Sequence, residues 1–412
     1  MATTKNRRRN LSRQRLPSLA RLRVSVTRAA VGALLFLGGV SFLPYRWCSR
    51  GADDWYAGNR ELQIRLGRAA EAHVRKGLTR LNFDTGSAQF NGEWLFGTYL
   101  MAGLGFGQTA LEHPELRPKH LALMRLCIER LLSPEVRAFD RESWRSDPLE
   151  SLDGDAGHAA YLGYLNLLLS HHRLLAPQSE YAALNDRITA ALVRRFEQSP
   201  IRLIESYPQE VYPVDNCAAI GSIGLHARAT GADRGEFLGR WAAHLRGHCV
   251  DRQTGLLYQC VDPSSGKPVD YPRGSGTCLG LYFLSFADSR LSRDMFTAVR
   301  RELVRPVFGF GGIREYPASV RGEAGDIDAG PVVLGFGLSA TGFGIAGCRI
   351  HGDADCFRRL YATACAWGAP YATEGRLTFV TGGPLGDAIL FAMLTAQPAG
   401  RFDTQRPEGR TP

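Results

Sequence analysis

Acidic residues are missing from the first 50 positions, where eleven Lys or Arg stand without a single Asp or Glu. The rest of the chain carries 39 basic against 40 acidic residues, so the overall charge of +10 belongs to the head. A remainder so nearly neutral excludes a general polyanion partner, and no nucleic acid is expected to bind it. C-x-x-C is absent among the nine cysteines, and the odd count leaves at least one thiol unpaired. Cys127, Cys278 and Cys365 sit in apolar helical stretches and read as small buried hydrophobes. His244 and His248, with Cys249 adjoining, have i, i+4 spacing but lack the Glu of H-E-x-x-H, so no metal is expected. The glycine runs GLGFG, GFGG and GFGLSATG lack the strand, turn and helix setting of a dinucleotide fingerprint, and no cofactor is expected.

Long uncharged runs are few. Ala29 to Tyr45, closed by Arg46, is near the lower limit for crossing a bilayer. Arginines on its N-terminal side give N-inside orientation, and no A-x-A-like site follows it, so it reads as an uncleaved anchor. The expected layout is a basic cytoplasmic segment over 1–28, a transmembrane anchor over 29–45 in the inner membrane, and an extracytoplasmic, periplasmic domain after it. Gly330 to Cys348 is also uncharged, but its glycine content reads as a buried helix. No Pro/Ser-rich linker divides residues 52–398, which read as one domain, and 399–412 form a polar tail.

What is there is an alternation. Amphipathic, charged segments such as RPKHLALMRLCIERLL and SRLSRDMFTAVRRELV interleave with Gly/Ala/Leu-rich segments such as EWLFGTYLMAGLGFGQTAL and VDNCAAIGSIGLHARATG. The first kind has one solvated face at helical period, whereas the second has to be covered on all sides. Six of each, taken in turn, predict an all-α fold: an (α/α)6 toroid, or barrel of helical hairpins, with the second kind as the inner ring. Glycine costs a helix interior about 1 kcal/mol. Its abundance in the inner segments fits helices that must approach closely around a narrow axis.

In such a toroid the loops leading into the inner helices open on one end, and here they carry acids beside aromatics. NFDTGSAQFNGEW brings Trp94; SYPQEVYPVDN brings Glu210, Tyr212 and Asp215; YQCVDPSSGKPVDYPRGSGT brings Tyr271 and Arg273. GGIREYPASVRGEAGDIDAG adds Arg314, Tyr316, Glu323, Asp326 and Asp328. The positive ends of buried helices stabilise carboxylates placed there. Such a mouth suits a hydroxylated small molecule or an oligosaccharide. Asp215 stands either as the N-cap of its helix or as a functional acid. Three acids within six residues, Glu323, Asp326 and Asp328, ahead of a buried helix that Pro331 would start, favour function there.

The stretches GYLNLLLSHHRLL, YPQEVYPVDNCAAIGSIGLHARATG, DRQTGLLYQCVDPSSGKPVD, GDIDAG and GPLGDAILFAML give the chain a resemblance to the linalool dehydratase/isomerase family, over about residues 90–398. The resemblance implies an (α/α)6 barrel outside the cytoplasm doing cofactor-free acid-base dehydration or isomerisation of an unsaturated alcohol. It places Tyr164 where the family has its catalytic histidine. Tyr207 and Asn216 take the positions of the two active-site cysteines, with Cys217 one step out of register. Asp326, Asp328 and Gly330 keep the family's D-x-D-x-G element.

The expectation is therefore a membrane-anchored lyase or isomerase on this barrel. Asp215 and Asp328 are its proton-transferring pair, and Tyr212 and Arg273 orient the substrate. Tyr164 lines the floor, and Asn216, Glu210, Tyr271, Asp326 and Trp94 complete the binding set. The alternatives are a glycan-active enzyme of the inverting glycosidase type, which also uses two carboxylates, and a binding or assembly module without catalysis. Homo-oligomerisation is left open.

Overall fold

The computed structural model describes residues 19–321, 324–327, 329–373 and 375–403. It divides into two units, Met1–Trp47 and Cys48–Pro412. Among the described residues of the first there is one helix, α1 (Leu19–Cys48), with Pro44 inside it. Among the described residues no helix is long and apolar enough to cross a membrane. The transmembrane span expected at 29–45 is therefore not found: its seventeen uncharged residues stand only at the lower limit for a bilayer core, and Arg28 and Arg46 bound them within the same helix.

The second unit begins with the short α2 (Ala52–Tyr56) and then runs α3 (Arg60–Lys76), α4 (Ala88–Glu112), α5 (Arg117–Leu131), α6 (Ala138–Trp144), α7 (Ala159–Leu175) and α8 (Ala182–Gln198). It continues with α9 (Pro213–Thr230), α10 (Gly235–His248), α11 (Gly274–Leu284), α12 (Ser289–Glu302), α13 (Leu338–His351), α14 (Ala354–Gly368), α15 (Gly383–Leu394) and α16 (Gly400–Asp403). Packing follows the alternation read from the sequence. Helices α4, α7, α9, α11, α13 and α15 each touch the next, and α15 returns to α4, which closes an inner ring. Around it lie α3, α5, α8, α10, α12 and α14; α10 docks through Phe237 and Trp241 on Phe196 of α8.

Local chemistry sets the ends of the outer helices. Asn59 caps α3 through Leu62 N, Asp288 caps α12 through Arg290 N and Leu291 N, and Asp353 caps α14 through Cys356 N. The inner helices meet at glycine. A Cβ on Gly163 of α7 would stand 3.0 Å from the backbone of Ala219 in α9, and one on Gly221 of α9 would press into the Phe283 carbonyl of α11. Polar side chains also bind the ring. Asn166 of α7 donates to Ser222 of α9 and Thr189 of α8 and accepts from Asn185, all of them buried. Tyr282 of α11 donates at 3.0 Å to Gln108 of α4, whose amide donates at 2.8 Å to Ala392 O of α15. These bonds cross the axis and plug one end of the ring.

Three antiparallel hairpins interrupt the all-helical expectation: β1 (Val304–Val307) with β2 (Phe310–Ile313), β3 (Val332–Val333) with β4 (Phe336–Gly337), and β5 (Pro370–Thr373) with β6 (Arg376–Phe379). They occupy the segments leading into α13 and α15. The second hairpin corrects one expected helix start. Pro331 is not in the first turn of α13, which begins at Leu338 after Gly335 has turned the chain at φ 82°.

Candidate active site

At the end opposite the plug, a cavity of about 290 Å³ is lined by residues of all six inner helices. Helix α4 contributes Glu93 and Trp94, α7 Tyr164, α9 Asp215, α11 Ser275, α13 Phe343 and α15 Leu385. The loop before α9 adds Tyr207, Glu210 and Tyr212. The convergence expected from the toroid is thus present, and it gathers Trp94, Tyr164, Glu210, Tyr212 and Asp215.

Asp215 is the most enclosed acid of the cavity, with 9% of its surface exposed. It does not cap α9. Tyr212 occupies the cap position, and the Asp215 carboxyl accepts at 2.6 Å from Tyr164 OH and also from the Ser206 hydroxyl. Burial pushes its pKa above the usual carboxylate value, and the two hydroxyl donors pull in the opposite direction. Such a carboxyl is suited to hold a proton and deliver it.

A second carboxylate stands close by. Glu93 accepts at 2.6 Å from Tyr207 OH, and burial together with the Glu93 charge drives that phenol well above its usual pKa. Tyr207 also feels the charge of Asp215, so one phenol lies within electrostatic reach of both acids. Glu210 is exposed and accepts at 3.1 Å from Tyr212 OH. Sequence reasoning named Trp94 but passed over Glu93 beside it, although G-E-W shows the acid-aromatic pattern used elsewhere. Tyr207 was noticed only as a substitute for a cysteine.

Glu315 was not selected either. It has no exposed surface, and Ser275, which lines the cavity, donates its hydroxyl to Oε1 at 2.5 Å. Oε2 has no hydrogen-bond partner among the described residues. Burial pushes this carboxyl up to about 7.

Several expected site residues are committed elsewhere. Asn216 is wholly buried and clamps the preceding loop: Oδ1 accepts from Ile204 N at 2.8 Å, and Nδ2 donates to Ile204 O and Tyr212 O, both at 3.0 Å. It holds backbone, not substrate. Arg273 is an ion-pair hub, donating to Asp270 at 2.7 Å and to Asp326, with its guanidinium 5.6 Å from the Tyr316 ring. Asp326 is therefore taken up by Arg273, whose Nε has no hydrogen-bond partner among the described residues. Tyr271 is 49% exposed and is not among the cavity-lining residues. Asp328 and Glu323 lie outside the described residues.

No family model and no curated protein matches the sequence. Among solved structures the chain is similar to a family 105 glycoside hydrolase from C. acetobutylicum at 10% identity, over 82% of this chain and 99% of that one, with a TM-score of 0.49. It is similar to an unsaturated glucuronyl hydrolase specific for heparin at 12% identity, over 85% and 98% of the two chains, with a TM-score of 0.47. It is also similar to Dfg5 from Chaetomium thermophilum, solved with glucosamine, at 13% identity, over 76% and 82%, with a TM-score of 0.46.

None of the three is described as a dehydratase or isomerase, and the dehydratase/isomerase expectation is withdrawn. Among the described residues, no cysteine and no histidine lines the cavity. Cys217 is fully buried, with its sulfur toward Gly280 of α11, and burial pushes the thiol well up. At TM-scores this low the likenesses decide nothing further, and the chemistry has to come from the chain's own residues.

Proposed function

We propose that this chain is a glycan-active enzyme that cleaves a glycosidic bond by acid-base catalysis with two carboxyl groups. The observation that carries the reading is Asp215: a buried carboxyl held by Tyr164 in a cavity that all six inner helices line, with its pKa raised by burial. In this role Asp215 protonates the departing glycosidic oxygen. Glu93, of the described carboxylates the one tied to the same wall through Tyr207, takes a proton from the attacking water. An inverting mechanism sets such a pair about 6.5 to 9.5 Å apart to admit that water. Trp94 and Tyr212 offer flat apolar faces to a sugar ring and leave polar edges for its hydroxyls.

The binding-module alternative would gain if the cavity acids were neutralised by arginines. Ion pairing to Arg273 takes Asp270 and Asp326 at the rim, whereas Asp215 is held by hydroxyl groups. Catalysis is favoured for that reason. The test is incubation of the protein with a panel of neutral, amino and uronic oligosaccharides, reading new reducing ends. Replacing Asp215 by Asn is expected to lower turnover by about 10² to 10⁴-fold while the thermal midpoint stays near that of the parent. Full turnover in that variant would remove Asp215 from the mechanism. No cleavage of any oligosaccharide would remove the activity itself.

A further inference from the structure

The segment between α6 and α7 builds a second constellation that the glycan reading does not use. Asp140 lies in the first turn of α6, Ser146 two residues beyond its end, and His158 immediately before α7. His158 Nδ1 stands 2.6 Å from Asp140 Oδ2, and neither side chain has exposed surface. On the other edge of the ring, Ser146 Oγ is 3.3 Å from His158 Nε2. A carboxylate only accepts, so the proton of the neutral imidazole sits on Nδ1 and Nε2 is left to accept from the serine hydroxyl. Nucleophile, base and orienting acid are thus in the order a serine hydrolase requires, with a separation normal for an unliganded site.

The surroundings hold this arrangement in place. The Trp144 ring lies 4.7 Å from the imidazole, and its Nε1 donates to Ser206 O. Asp147, the next residue after Ser146, accepts from Arg137 Nε at 2.8 Å and from Leu149 N at 3.0 Å. Arg145 and His158 both adopt left-handed backbone, at φ 55° and 51°, which non-glycine residues rarely take and which tends to mark functional sites. Ser146 is half-buried, whereas the His158–Asp140 pair has no exposed side-chain surface.

We propose that Ser146, His158 and Asp140 form a nucleophilic centre for acyl esters, an activity separate from glycosidic cleavage. Ser146 Oγ attacks the ester carbonyl and passes its proton to His158 Nε2. As the carbon–oxygen bond of the alcohol breaks, His158 returns that proton to the leaving oxygen. Water then adds to the acyl-serine, giving its proton to His158, and Ser146 departs and recovers it. Ester and water become acid and alcohol, and the protein is unchanged. Ser146 and His158 act on the reacting atoms, while Asp140 positions the imidazole.

Incubation of the full chain with a fluorophosphonate probe tests this directly, because the activated serine oxygen displaces fluoride and keeps the phosphonyl group. Peptide mapping should find one adduct, on Ser146, absent from Ser146→Ala and retained in Asp215→Asn. Asp140→Asn should slow labelling at least 100-fold at neutral pH. Asp140→Glu, which restores a carboxylate facing Nδ1, should recover part of that labelling. A folded wild-type protein that forms no adduct, or one whose adduct maps to another residue, overturns the proposal. An Asp140→Asn protein that labels at the parental rate would remove Asp140 from the centre. Since Ser146→Ala leaves Asp215 and Glu93 intact, glycan cleavage persists in it, and the two readings fail separately.

Discussion

Tyr164 shows how one hydroxyl sets the working range of a site. Its OH donates to Asp215, and hydrogen bonding to the ionised form of an acid lowers its pKa, against the larger upward push of burial. Replacing Tyr164 by Phe removes the donor, so the Asp215 pKa rises further. If Asp215 delivers the proton, the alkaline limb of the pH–rate profile should move to higher pH in that variant; an unmoved limb would show that another group sets it. Glu315 offers a stability readout. Its folded pKa of about 7 lies above that of the unfolded chain, so the folded state binds the extra proton between about pH 4.5 and 7. Unfolding free energy therefore falls as pH rises through that window, by up to about 3 kcal/mol. Glu315→Gln keeps the shape without the titration. Denaturant unfolding of the variant at pH 5 and pH 8 should give values closer together than in the parent.

At the level of single elements, the loop leading into α9 brings Tyr207, Glu210 and Tyr212 to the cavity, and a buried amide holds it. Asn216 satisfies both backbone groups of Ile204 as well as Tyr212 O. Asn216→Ala leaves Ile204 N and O unpaired in the interior, while Tyr212 O keeps its bonds from Asp215 N and Asn216 N, and should cost about 2 to 4 kcal/mol by chemical denaturation. Because the same loop carries Tyr207 and Tyr212, turnover should fall as well, although the side chain itself touches no substrate. The sequence marks Asn216 only by its place next to Asp215. Nothing in the chain's pattern separates an amide that binds ligand from one that binds backbone, and only the position of Ile204, twelve residues away, settles it. The hairpins before α13 and α15 were hidden for a related reason: their strands are four residues or fewer, too short for an alternation to register.

On the scale of the whole molecule, the inner ring depends on contacts too close for side chains. Gly163→Val would drive a branched side chain into the Ala219 backbone, separating α7 from α9. The expected penalty is about 2 to 3 kcal/mol, with a loss of cavity shape seen as weaker binding of any oligosaccharide the parent cleaves. A fully stable variant would mean that the ring tolerates wider spacing than its glycines imply. The alternation of charged and uncharged helices, and with it the double ring, was written in the sequence, because helical period and hydrophobic burial are local properties of a segment. So was the gathering of acids and aromatics ahead of the inner helices. Tertiary structure alone decided which of them meet: Tyr207 bonds Glu93 across 114 positions of chain, Tyr164 bonds Asp215 across 51, and Arg273 is drawn off to Asp326 across 53. Those pairings arise when the ring closes, and ring closure depends on how far each helix turns and advances against its neighbours, which no short stretch of sequence encodes.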